Sequence, residues 1–265
     1  MSHLSISLAS EVVGHIGFFE IRNTLLMAWL AMFAIILVAC TVSLSGFKLI
    51  PSRFQTALEI VVESLYGLFS SILNDDRLAR KFFPLVTTMF LFIVLGNWMG
   101  ILPGIGSITV QGLHNGEPEA IPLFRSMNAD VNMTIAIALV SMVLVQFYGM
   151  SELGFRGYTS KFLVPPWKNP IGTFVGFLEV ISEISKLVSF SFRLFGNIFA
   201  GEVLLIVISA LVPYFVPIPF LGLEIFVGLI QGLVFAMLTT VFLKNAVTGH
   251  DTHHEEHASE SLTSA

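Results

Sequence analysis

Long uncharged apolar stretches alternate along this chain with shorter polar connections. The first runs from Thr24 to Phe47, and as a helix it is long enough to cross a hydrocarbon core of ~30 Å. Others follow at 82–102, 129–150, 171–212 and 218–247. Within the second, Gly96 and Gly100 lie four apart, a spacing that lets helices approach closely in lipid. The stretch at 51–76 differs. Pro51 suits a first helical turn, and Leu58, Val61, Val62, Leu65, Leu68, Phe69 and Ile72 recur at helical spacing. Glu59, Glu63 and Ser70 fall elsewhere, which predicts an amphipathic helix at the membrane surface; a sixth crossing would need both acids paired. Ile171 to Val212 contains no proline; as one helix it would run ~63 Å, about twice the hydrocarbon thickness, so it must tilt, bend or leave the membrane. Pro213, Pro217 and Pro219 then force a turn. The pattern therefore predicts an all-α integral membrane protein in a single membrane domain over 1–265. It has five membrane-crossing helices plus one amphipathic surface helix, and the last two crossings form a long, steeply tilted hairpin.

Composition agrees with the pattern: 55% of residues are hydrophobic and 12% charged, and a soluble domain this apolar could not cover itself with polar surface. One cysteine excludes a disulfide framework, and a net charge of −5 without a long basic run gives nucleic acid no footing. The first polar segment lacks the basic start of a secretory signal. Basic residues set the orientation. Lys48, Arg53, Arg77, Arg80, Lys81, Arg156, Lys161, Lys168 and Lys244 share one side if there are five crossings. Arg22 and Arg125 fall on the other, with Glu11, Glu20, Glu117 and Glu119. The N-terminus is thus expected outside and the C-terminus inside.

Ionisable side chains within membrane helices are costly and point to function. Glu179, Glu183, Lys186, Arg193 and Asn197 fall within about 80° of one another at 100° per residue, forming one stripe with Ser182 and Ser189 close by. Glu202 points about 180° away from Arg193. On the last helix, Glu224 and Gln231 share a face. The stripe from Glu179 to Lys186 can hydrate one aqueous path, and Glu202 with Glu224 can line another from the opposite side. Arg193, which keeps its proton even when partly buried, stands between them. The bland alternative is that these groups pair inside a bundle.

The segment SFRLFGNIFAGE, carrying Arg193, Asn197 and Glu202, closely resembles the signature of subunit a of the F-type ATP synthase membrane sector. LEIFVGLIQGLVFAMLTTVFL resembles that family's last helix, and SMNADVNMTIAIAL and NTLLMAW also match, so the resemblance covers nearly the whole chain. It implies a proton-translocating stator subunit with two half-channels to and from the carboxylates of a rotating c-ring. Arg193 resembles the essential stator arginine and Glu202 the acid of the non-cytoplasmic half-channel. Gln231 and Asn197 resemble the polar partners near the arginine. Glu179, Ser182, Glu183 and Lys186 match the entrance of the cytoplasmic half-channel. The implied partners are the c-ring, b-type peripheral stalk subunits, the remaining synthase subunits and membrane lipid, in a bacterial inner membrane. No cofactor, metal or nucleic acid is implied, and with no GxxxxGK[ST] loop on this chain the nucleotide chemistry belongs to partner subunits.

One feature departs from the family. Several bacterial relatives of the type resembled have histidine where this chain has Glu224, and no histidine lies in any of its apolar stretches. Glu202 and Glu224 are therefore expected to meet and titrate as a pair. With Val216 as the turn centre they are six residues out of register, ~9 Å of helix rise that an irregular turn must absorb. Among rivals, an ion-coupled secondary transporter predicts inverted repeats, and none is visible. A haem- or quinone-associated subunit predicts histidine pairs within spans. In the tail, 249–265, His250, His253, His254 and His257 have helical spacing that could bind a metal, against the reading of a flexible acidic segment. The carried ion is expected to be H+ rather than Na+, since H+ needs no oxygen cage.

Overall fold

In the computed structural model, residues 10–17, 19–45, 52–102, 104–114, 117–159, 170–212 and 214–248 are described. The histidine-rich tail lies outside them, as do Lys48, Lys161, Lys168 and Pro213. Among the described residues, six helices are long and apolar enough to cross a membrane. They are α1 (Asn23–Ser45), α2 (Arg53–Leu73), α3 (Asp76–Ile101), α4 (Val131–Thr159), α5 (Pro170–Leu211) and α6 (Pro217–Val247). The protein is a multi-pass helical membrane protein.

Local chemistry sets the helix ends. Ser52 caps α2 by accepting from Gln55 N at 3.2 Å, and Asn74 closes it in the left-handed conformation (φ 53°), a backbone state that asparagine tolerates. Asp75 then caps α3, accepting from Arg77 N and Leu78 N at 2.7 and 3.3 Å. α4 runs past its expected end, with a break at Gly154 (φ 74°) that redirects the last residues to Thr159. The link between α5 and α6 is irregular, with Phe215 at φ 63°.

Two short antiparallel hairpins, β1 (Val12–Ile16) with β2 (Phe19–Arg22) and β3 (Thr109–His114) with β4 (Glu117–Pro122), lie in segments the sequence pattern left as polar connections. They touch one another through β1 and β3 at one end of the bundle. The all-α expectation therefore holds for the membrane part alone.

α3 and α6 form the central crossing. A Cβ at Gly228 would press on Asn97, and one at Gly232 would press on Val94, so glycine on α6 is what lets these backbones meet. Gly96 and Gly100 on α3 serve a different contact from the helix pairing expected of them. They receive Met127 and Ser126, in the segment leading into α4. Around this crossing, Phe82, Val86, Phe90, Val94, Ala236 and Leu243 pack with Leu65, Phe69 and Leu73, the buried face of α2. A second cluster joins Met89, Ile93, Ala138, Phe190, Leu194 and Phe235 from α3, α4, α5 and α6.

Candidate functional site

The residues singled out on α5 and α6 lie on or beside the seam of these two antiparallel helices and take different partners: Asn197 meets α6, Glu183 meets α4 and Glu202 meets the segment before α4. Near the middle of α5, Arg193 is exposed, its Nη2 donating to Ser189 Oγ at 3.3 Å. The small side chains of Ser185, Ser189 and Ala200, with Gly196, are also exposed and leave the guanidinium open to an approaching surface. Behind it, Phe190, Leu194 and Ile198 are buried and fix the helix against its neighbours. One turn on, Asn197 Nδ2 donates to Gln231 Oε1 at 2.7 Å, tying α5 to α6 beside the arginine. Gln231 is buried, so the bond satisfies an amide that would otherwise be costly in an apolar crossing.

From Arg193 toward the Lys244 end of the bundle, a groove of about 270 Å³ is lined by Ser182, Ser185, Lys186, Ser189 and Arg193 over Phe190 and Phe242. Lys186 Nζ bonds Glu183 Oε1 at 2.5 Å and stands 5.0 Å from the centre of the Phe242 ring. The second oxygen of Glu183 accepts from Gln146 Nε2 at 2.8 Å, and Gln146 in turn accepts from the Tyr158 hydroxyl. Glu179 lies about one turn further along α5, half-buried. Gln146 and Tyr158 are functional candidates that the sequence pattern did not single out. A glutamine inside an uncharged span was a readable signal for the first, but Tyr158 reaches it only because the chain turns at Gly154.

In the other direction, toward the β-hairpins, the two acids take different surroundings. Glu224 is 7% exposed and sits against the backbone of Gly201, where a methyl group would collide with its carboxylate. Glu202 is held by Arg125: Nε lies 2.9 Å from Oε1 and 3.3 Å from Oε2, and Nη2 lies 3.2 Å from Oε2. The expected register gap closes because Gly201 faces Glu224 and Asn197 faces Gln231, pairings whose midpoints fall before Val216. At the same end, Asn128 Nδ2 donates to Asn97 Oδ1 at 2.6 Å, and Asn97 Nδ2 donates to Gly228 O at 3.1 Å. Asp130 is buried and accepts from Ser10 Oγ at 2.5 Å, Thr24 Oγ1 at 3.0 Å and Asn132 N at 2.9 Å, which pins the N-terminal hairpin over this end.

The site thus consists of an exposed fixed cation between two polar clusters that approach it from opposite ends. The family profile described as ATP synthase A chain matches residues 25–244. The chain belongs to this family. Relatives of this ATP synthase chain agree along most of its length. The chain is 33% identical to "ATP synthase subunit a 2" of Bradyrhizobium sp. strain BTAi1 over 243 residues, 92% of this chain and 96% of the relative. It is 34% identical to the Moorella thermoacetica subunit a over 239 residues, 89% and 95% of the two chains. It is 32% identical to that of Campylobacter concisus over 220 residues, 83% and 88%.

Proposed function

We propose that this chain is the proton-translocating stator subunit of a rotary F-type ATP synthase, supplying two half-channels that meet the carboxylates of a c-ring on either side of Arg193. The observation that carries this reading is the placement of the exposed Arg193 between the Glu202–Glu224 end and the groove leading to Ser182, Glu183 and Lys186. A proton enters past Glu202 and Glu224 and neutralises a ring carboxylate, which can then face lipid as the ring turns. After most of a turn the carboxylate reaches the groove and gives the proton up. Arg193, unable to release its own proton, repels a hydrated proton and attracts the ionised carboxylate, so the short route between the two paths stays closed. Each charge carried down the membrane potential contributes ≈ 2.3 kcal/mol per 100 mV. Asn197 and Gln231 hold α5 and α6 together beside the cation. Nucleotide chemistry belongs to partner subunits, and the peripheral stalk's b-type subunits hold this chain against the turning ring. The c-ring's own carboxylate site decides between H+ and Na+, and H+ suits a path built from carboxylates, amides and hydroxyls.

This reading puts the chain in a bacterial inner membrane with five crossings. α2 lies at the surface, the long α5–α6 hairpin is tilted, the N-terminus is outside and the C-terminus cytoplasmic. Support comes from the basic residues Arg77, Lys81, Arg156 and Lys244, which all belong to one side under that count. The salt bridge of Lys81 with Glu152 and the bond of Lys244 Nζ to Ile72 O at 2.8 Å join that end of the bundle. Single cysteines in a Cys40-replaced background should be labelled by an impermeant reagent from outside at position 117 and from inside at position 156; external labelling at 156 overturns the topology.

The function itself is tested in vesicles holding the complete membrane sector with or without this chain. Potential-driven proton uptake should require it. Uptake of equal rate from c-ring and stalk subunits alone contradicts the proposal.

A further inference from the structure

Arg125 lies between β4 and α4, far in sequence from the seam, yet its side chain is 10% exposed and reaches Glu202 across 77 residues. We propose that Arg125 is a positioning residue of this half-channel: it holds Glu202 in a fixed two-pronged ion pair, and the adjacent acid on Gly201, Glu224, hands the proton on. The proposal rests on the channel reading above and assigns the two acids separate duties.

Three observations carry it. The first is that the arm bearing Arg125 is fastened on both sides. Leu123 N donates to Ile108 O at 2.8 Å. Ser126 and Met127 are seated on Gly100 and Gly96 of α3, and Asn128 bonds Asn97, which bonds Gly228 O on α6. The guanidinium is therefore presented from a clamped backbone rather than from a loose loop. The glycine pair on α3 explains how the backbone comes so close.

The second observation is the geometry of the pair. Nε and Nη2 address both oxygens of Glu202, the planar, two-pronged arrangement that arginine makes and lysine cannot. With both oxygens engaged by a donor that does not release its proton, protonating Glu202 gives up the charge-assisted part of the pair.

The third is the position of Glu224. It is packed on the backbone next to Glu202, on the facing helix, while the guanidinium forks onto Glu202. A proton that reaches this end meets a balanced ion pair, which neither traps it nor repels it strongly, and an acid beside the pair. Other charged groups described at this end have partners of their own. Asp130 accepts from Ser10, Thr24 and Asn132, and Arg22 bonds Glu20 and Ser10. From α3, the polar side chains at this end are the neutral Asn97 and Trp98.

The test measures potential-driven proton flux through the assembled membrane sector, from pH 6 to 9, for wild type, Arg125→Gln, Arg125→Lys, Glu202→Gln, Glu224→Gln and the double variants of Arg125 with Glu202→Gln. Arg125→Gln should lower flux ~10-fold and move its pH dependence by about one unit, because it frees a carboxylate beside Glu224. Arg125→Lys, keeping the charge but losing the second prong, should lower flux about three-fold. Neither should lower it further once Glu202 is Gln, and Glu202→Gln should retain more flux than Glu224→Gln. Equal fractional losses in both backgrounds make Arg125 a packing residue and overturn the proposal, as does wild-type flux and pH dependence in both Arg125 variants. Complete loss in Glu202→Gln also overturns it, since Glu202 is then the carrier. Should Arg125→Gln fail to assemble, Arg125→Lys in the two backgrounds decides between the same outcomes. Failure of the channel reading is separate: it shows as proton uptake that does not need this chain at all.

Discussion

Glu224→Gln should lower proton flux ~100-fold while the complex still assembles, because an amide fills the same space but cannot take up and release a proton at this step. Glu224 is buried against Gly201 on the face of α6 that carries Gln231, so the neutral isostere disturbs little packing. Glu224→His should behave differently. Imidazole exchanges protons near neutral pH, so this variant should keep partial to full flux with its pH optimum moved. Gly201 beneath it gives an internal control. Gly201→Val should depress flux by pushing the Glu224 carboxylate aside, although position 201 carries no proton itself. Flux is read in vesicles under an imposed potential. Wild-type flux in Glu224→Gln removes this acid from the path.

Much of this site could be read from the sequence because the membrane makes polar residues conspicuous. In α5, an unbroken apolar helix, Arg193, Asn197 and Glu202 could be placed by turn angle alone. The structure opens Arg193 on one side, joins Asn197 to Gln231 and pairs Glu202 with Arg125. What periodicity could not supply was the partner of Glu202. Arg125 was visible as a basic residue in a polar connection, but its contact depends on how that connection seats on Gly96 and Gly100, a long-range packing event. The spacing of that glycine pair signals close backbone approach but not the partner, since an extended segment can use it as well as a helix. The two hairpins escape a periodicity reading because VVGHI, FEIR, TVQGLH and EPEAIP are short and lack a clean alternation of apolar and polar positions. Val216 is a poor turn centre because the link is irregular, with Phe215 at positive φ, and the facing pairs Gly201 with Glu224 and Asn197 with Gln231 have midpoints that fall before it.

Arg193→Ala should abolish coupled transport and leave the protein inserted. The side chain is exposed and makes a weak bond to Ser189 at 3.3 Å, so its removal costs the fold little. Its charge has no substitute nearby among the described residues of the seam, since Lys186 is bound to Glu183 two turns away. Without a fixed cation, a ring carboxylate has nothing to draw it into the ionised state at the stator. A hydrated proton then meets no barrier between the Glu202–Glu224 end and the groove of Ser182 and Lys186. Passive leakage across the membrane sector should therefore rise even as pumping is lost, and Arg193→Lys should restore little, because a lysine can release its proton in an apolar setting. The decisive measurement is ATP-driven acidification of vesicles containing the complete complex with Arg193→Ala: the account predicts none, with the chain present at its normal amount, and acidification at the wild-type rate would contradict it.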